Sequence, residues 1–235
     1  MDDSAAVAPF EAQRTTIAAQ VFDHLLDRIV RVDLAPGARI SEAEVAKALG
    51  VSRQPVREAF FRLQQAGLVV IRPQRATTVA PISERAVFEA QFIRVALETA
   101  TMRRAVRVLT DADIAALGAV LDRQKAAIDA DDRVGFHALD DAFHRDLGER
   151  AGAGFAWGLI REQKLQMDRV RYLSLGFNGR AAWVEHGVIL RALAARDADG
   201  AVAALTDHLS RIGADIRRIR AEHGALFSEE RGALL

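Results

Sequence analysis

From Thr16 onward apolar side chains return every four residues, at Ile17, Val21, Leu25 and Ile29. Phe22 and Val30 widen the stripe, so the spacing predicts an amphipathic helix, which Leu34-Ala35-Pro36-Gly37 ends. Ser41-Glu42-Ala43-Glu44 has the form of a capping box and opens a short helix running to Leu49. Gly50 closes that helix and Ser52 caps the next, which carries Val56, Ala59, Phe60 and Leu63 on one face and stops at Gly67. Two short helices about a tight Gly-Val-Ser turn predict a helix-turn-helix. The period then shortens: Leu68-Val69-Val70-Ile71 and Thr77-Thr78-Val79-Ala80 are β-prone runs around Pro73-Gln74-Arg75-Ala76, the pattern of a small hairpin wing.

Pro81 marks a domain boundary, and beyond it the pattern is helical throughout, over about 83–107, 110–130, 132–150, 154–175, 179–197 and 198–223. Asp131-Asp132, Gly152-Ala153-Gly154, Gly176 to Gly179 and Asp197 to Gly200 separate these segments. Six helices with short connections predict an antiparallel bundle. The expected molecule is mainly α, with a flexible arm over 1–14, a winged helix-turn-helix of three helices and a small β-wing over 15–81, and an all-α domain over 82–235.

Composition narrows the chemistry. With 235 residues the chain is long enough for two cores. Lys plus Arg and Asp plus Glu both number 32, so any charge that attracts nucleic acid must be local. The absence of cysteine excludes disulfides and thiolate metal sites. The acidic N-terminus lacks a basic stretch followed by an apolar core, and no apolar run approaches membrane-spanning length, so the expectation is a cytoplasmic protein without membrane contact.

A local field does exist. Between Lys47 and Arg75 stand Lys47, Arg53, Arg57, Arg62, Arg72 and Arg75 against the single acid Glu58, and neutralising phosphates requires such a patch. Arg53 and Arg57 share one face of the third helix with Gln54 beside them, opposite its apolar stripe. A guanidinium can grip guanine O6 and N7 in the major groove and glutamine can pair with adenine, so this face is the candidate for base reading. An isolated arginine pair would more often only solvate a surface; here the turn, the wing and the charge bias agree.

Ile40-Ser41-Glu42, the run Leu49-Gly50-Val51-Ser52-Arg53-Gln54-Pro55-Val56-Arg57-Glu58-Ala59, Leu63 and Gly67-Leu68 resemble the GntR family of winged-helix regulators. The resemblance implies that Ser52, Arg53, Gln54 and Arg57 contact double-stranded operator DNA, with Arg75 of the wing beside them. Gln54 stands where the family usually has threonine, Ala76 where it has a wing glycine, and Phe61 where it has a polar residue.

In the second half, Asp140 and His144 are four residues apart and so project from one helical face. His186 lies on the stripe of Trp183 and Leu190, and His208 among Ala204, Leu205 and Ile212, which turns both toward the bundle interior. Any one of the histidines alone would read as a buried ring satisfied by a hydrogen bond, and Asp140 alone as a surface acid. Together they are better explained by one divalent ion, for which imidazole and carboxylate donors suit zinc first, then nickel, manganese or iron. His137 and His223 read as surface residues.

Residues 83–223 resemble the FadR C-terminal ligand-binding domain, called FCD, whose metal-binding members carry Asp-x-x-Phe-His followed by two later histidines, matched by Asp140, His144, His186 and His208. Six predicted helices resemble its VanR-type subgroup. Arg94 matches a family arginine near the ligand pocket and is assigned to an effector carboxylate, with an ion pair to Glu98 as the alternative. The resemblance implies a homodimeric repressor on a near-palindromic operator, released by a small organic acid. A ligand-responsive activator, a metal-dependent hydrolase fused to a DNA-binding domain, and a purely structural metal remain alternatives.

Overall fold

In the computed structural model, residues 16–72 and 76–229 are described. The expected arm over 1–14 and Arg75 of the wing lie outside those residues.

The N-terminal unit begins with α1 (Ile17–Val30), whose start Thr16 caps by accepting from the Ala19 amide at 3.2 Å. After β1 (Arg39–Ile40) come α2 (Glu42–Leu49) and α3 (Arg53–Gln65), then β2 (Val69–Val70) and β3 (Thr77–Val79). Gly50 takes φ +66° between α2 and α3, a left-handed turn that costs glycine nothing. Val21, Leu25 and Ile29 of α1 close over Val56, Phe60 and Leu63 of α3, and the buried Leu68 and Val79 bring the wing onto the same core.

Two local expectations need correction here. Ser41 and Ser52 stand at the helix starts as anticipated, but neither side chain makes a capping bond, so the capping box at Ser41 does not form. The start of α2 follows directly on the paired strand β1, and Glu42 makes only a surface contact, with Arg57 at 3.4 Å. The wing is also larger than a hairpin: β1 joins it in an antiparallel sheet of order β1-β3-β2, with Arg39 opposite Thr78 and Val69 opposite Val79. A two-residue strand has no periodicity to detect.

The C-terminal unit contains α4 (Glu84–Val108), α5 (Asp111–Asp129), α6 (Arg133–Arg150), α7 (Gly154–Gln163), α8 (Leu165–Ala194), α9 (Ala198–Ser210) and α10 (Ile212–His223). Asp132 and Asp197 each cap the following helix, accepting from Gly135 and Gly200 amides at 2.8 and 2.9 Å. Among the described residues there are thus seven helices here rather than six. The expected 154–175 helix divides at Lys164, which is buried and held at 2.7 Å by both Asp141 and Asp168. The expected 198–223 helix divides at Arg211. Conversely, α8 runs unbroken through Gly176 and Gly179, where a break was expected. At Gly176 a Cβ would stand 3.1 Å from Nη1 of Arg133, so the glycine admits a neighbouring guanidinium, and packing outweighs its poor helix propensity.

The first turns of α8 join the two units. Gln166 donates to the Gly67 carbonyl at 2.6 Å, and the fully buried Arg169 donates to the Ala80 carbonyl at 2.9 Å. Beyond Pro81, the Ile82 amide donates to the Leu226 carbonyl at 2.8 Å, so the boundary segment is tied to the chain's far end.

Candidate metal centre and nucleic-acid interface

Packing of Val56, Ala59, Phe60 and Leu63 into the core leaves Ser52, Arg53, Gln54 and Arg57 exposed on the outer side of α3. Gln54 donates to Glu58 at 3.0 Å and Arg57 lies 3.4 Å from Glu42, both weak surface contacts that phosphate or a base edge can replace. Because Ser52 makes no capping bond, its hydroxyl stands at the open N-terminus of α3, where backbone N–H groups favour an anion. Arg62, also exposed, lies over the Phe22 ring, 3.9 Å from its centroid. Phe61 follows Arg57 by one helical turn and is exposed.

In the bundle, Asp140 and His144 of α6, His186 of α8 and His208 of α9 converge. One ligand atom from each lies within 4.8 Å of all the others. The Nε2 atoms of His186 and His208 are 3.3 Å apart, Nε2 of His186 is 3.5 Å from Oδ1 of Asp140, and Nε2 of His144 is buried without a hydrogen-bond partner. Each ligand is held from behind. Nδ1 of His186 meets Oε1 of Gln124 at 2.9 Å, Nδ1 of His208 meets Oε2 of Glu185 at 2.9 Å, Nδ1 of His144 lies 2.6 Å from Oε2 of Glu98, and Arg171 grips the second oxygen of Asp140. Phe143 stacks on the His186 ring at 4.5 Å between centroids. Metal-binding histidines ordinarily show such a partner on the outer nitrogen, which fixes tautomer and ring orientation.

Electrostatics agree with this geometry. Burial, then the neighbouring charges of His208, His144 and Arg171, hold His186 well below its usual range. Burial and the His144 and Arg94 charges do the same to His208, so both rings are neutral and can offer a lone pair. Burial alone would raise the Glu98 carboxyl, but Arg94 and His144 beside it hold it well below the carboxylate range. An orphaned inner nitrogen, two neutral rings and a carboxylate on a common centre fit a divalent cation.

Comparison with known proteins decides the family. A family model described as bacterial regulatory proteins, gntR family, matches residues 17–79, and the FCD domain model matches 89–211. The chain belongs to the GntR family and carries an FCD domain. The HTH-type transcriptional repressor RspR of Escherichia coli K12 is 40% identical over 213 residues, which span 90% of this chain and 93% of that one. Two solved structures are similar: McbR/YncC of E. coli, with TM-score 0.74 at 25% identity, and a GntR regulator of Rhodococcus sp. RHA1, with TM-score 0.69 at 26% identity. Each match covers 87% of this chain, with 99% of the first protein and 98% of the second. This GntR-family protein is a DNA-binding transcriptional regulator, and the hydrolase alternative gives way to that role. No helix among the described residues is long and apolar enough to cross a membrane.

Within this regulator the cluster of Asp140 and the three histidines borders a cavity of about 60 Å³ whose walls include Arg94, Asp140, Arg171 and His208. Arg94 does make the alternative ion pair, with Nε 2.7 Å from Oε1 of Glu98 in a buried setting, yet its Nη2 is buried without a partner. His137 corrects an expectation: it lines the same cavity, with Nε2 3.7 Å from Oδ1 of Asp168, beyond hydrogen-bond reach. His223 is exposed as expected. The supporting residues Glu98, Gln124, Arg171 and Glu185 were not singled out as such from sequence. Glu185 directly precedes His186, but nothing in the chain's spacing marks it as the partner of His208.

Proposed function

We propose that the protein is a homodimeric repressor that binds a near-palindromic operator through Ser52, Arg53, Gln54, Arg57 and Arg75, and that a small carboxylic acid entering the cavity beside Asp140 and His208 releases it. The observation that carries the sensing half is the closure of the cluster, in which four ligand atoms share one centre while each ligand's outer atom is held by a second residue. Asp140, His144, His186 and His208 would hold one divalent cation, zinc first among the candidates for a site with three imidazoles and a carboxylate. When bound, such an ion supplies the positive charge that a carboxylate seeks. Arg94, with a buried guanidinium nitrogen still unpaired, is the chain's own contribution to that acid.

A sensor must also be felt at the DNA. Ligand binding alters operator affinity only if it favours one placement of the two winged domains. The first turns of α8 reach both ends: Arg171 meets Asp140, Asp141 and Asp168 at the cavity, and Gln166 and Arg169 hold the carbonyls of Gly67 and Ala80. Repression rather than activation follows the character of the relative RspR, named as a repressor. A homodimer is argued from physics, since one small winged domain makes too few contacts for a specific site and two symmetric copies double them.

The test uses purified, metal-analysed protein and a fragment from its own promoter. The expected results are about one metal ion per chain and a mobility shift that weakens steeply with salt. Adding a panel of short carboxylic acids should reverse the shift. Failure to shift any upstream fragment would sink the repressor reading, and a response to acid by metal-free protein would sink the metal's part in it.

A further inference from the structure

The cavity has more chemistry than an acid needs. Along α8 the residues that face it recur as Met167, Arg171, Ser174 and Asn178, a stripe at helical spacing. At one end stand the guanidiniums of Arg94, whose Nη1 is 3.7 Å from Sδ of Met167, and Arg171. Toward the other end the character reverses. Asn178 donates to the two carboxylate oxygens of Asp215 on α10, at 3.1 and 3.3 Å, and Asp215 is itself buried and lines the cavity.

We propose that Asp215 and Asn178 form a second pole of the effector cavity that accepts a hydrogen-bond donor, so that the effector is a short acid carrying a hydroxyl or ammonium group remote from its carboxylate. The inference rests on the acid-effector reading above and adds the other end of the ligand.

A carboxylate offers about four lone-pair directions. Asn178 supplies one amide group, and the Ser174 hydroxyl, which also lies beside this carboxyl, donates to the Arg171 carbonyl at 2.8 Å, so acceptor capacity stays open. The cations of α10 and its start do not fill it: Arg211, one helical turn before Asp215, pairs with Glu185, and Arg218 lies over the Phe177 ring beside Glu222. Burial pushes the Asp215 carboxyl up from its usual range, against the Asn178 and Ser174 contacts and the Arg211 and Arg218 charges that lower it. An apolar tail would leave the remaining acceptor positions of this buried carboxylate unfilled, and a second carboxylate would be repelled by it. A donor satisfies it. With a water-sized group taking about 10–15 Å³, a cavity of about 60 Å³ holds a chain of only a few heavy atoms.

The experiment is calorimetric titration of the full-length, zinc-loaded protein with propanoate, 3-hydroxypropanoate, 3-aminopropanoate and malonate, acids short enough for that volume. The hydroxy or the amino acid should bind about 10- to 100-fold more tightly than propanoate and malonate, the value of a hydrogen bond to a charged partner. The two donor-bearing acids distinguish hydroxyl from ammonium. In Asp215→Ala that advantage should vanish while propanoate affinity and zinc content hold, and Asn178→Ala should reduce it without abolishing binding. Equal affinity of all four acids in the unaltered protein, or an advantage that survives Asp215→Ala, overturns the second pole. If Asp215→Ala does not fold, Asp215→Asn and Asn178→Ala carry the same comparison. Binding of none of the acids would overturn the acid reading itself, a result distinct from binding without discrimination.

Discussion

His186 and His208 point their Nε2 atoms at each other across 3.3 Å, deep in the bundle and 22 residues apart in the chain. Two protonated rings could not share that space, and burial with the surrounding cations holds both well below their usual range. In the folded protein they stay neutral while in the unfolded chain they titrate near 6.5. The unfolded state therefore binds more protons as pH falls, and stability is lost below that value. Metal-free protein should show a falling unfolding temperature from about pH 7.5 to about pH 5.5. A flat profile over that interval would contradict neutral, closely packed rings.

Gln124 is fully buried, and it holds Nδ1 of His186 while donating to the Leu139 carbonyl at 3.1 Å. Gln124→Ala should leave the fold in place and weaken metal affinity about 10- to 100-fold, the usual effect of losing a partner behind a ligand. His208→Ala should remove the ion altogether. Competition with a chelator measures both, and unchanged affinity in Gln124→Ala would separate that residue from the site.

Arg53 and Arg57 are exposed and make no contact on which the core depends. Arg53→Ala or Arg57→Ala should each cost about 1–3 kcal/mol at one guanine position while changing stability by no more than about 0.5 kcal/mol. Binding to operators randomised at single positions gives the answer. Uniform weakening across all sequences would reassign the residue to phosphate.

Gln166 bridges the units, donating to Gly67 and accepting from Arg169 at 3.3 Å. Gln166→Ala should keep metal binding and basal operator affinity within about threefold, which is less than about 1 kcal/mol. It should blunt the release caused by acid. Fluorescence anisotropy of labelled operator with and without effector tests this, and a full response in the variant would place the coupling elsewhere.

Much of this protein could be read in one dimension. The α1 stripe, the turn at Gly50 and the arginine spacing on α3 are local periodicities, and they matched because the N-terminal core is built from neighbouring helices. Asp140 and His144 were legible for the same reason, lying one turn apart on α6. His137 was misread as surface because its own helix does not reveal that Asp168 and Arg171 of α8 wall it in. The breaks in the bundle were misplaced because the glycines were read as breaks and Lys164 carries no helix-ending signal, whereas Arg133 packing across Gly176 and the carboxylates around Lys164 set the outcome.

The helices of the winged unit, the exposed face of α3 and the four donors that could share an ion follow from residue type and spacing, since each is a property of a single helix or turn. Which outer atoms steady those donors, which guanidinium nitrogen is left unpaired in the cavity, and how α8 ties that cavity to the winged unit were decided only by the fold. Gln124 with His186, Asn178 with Asp215, and Gln166 with Gly67 meet across 37 to 99 residues of chain, and no local pattern encodes a contact made by helices closing on one another.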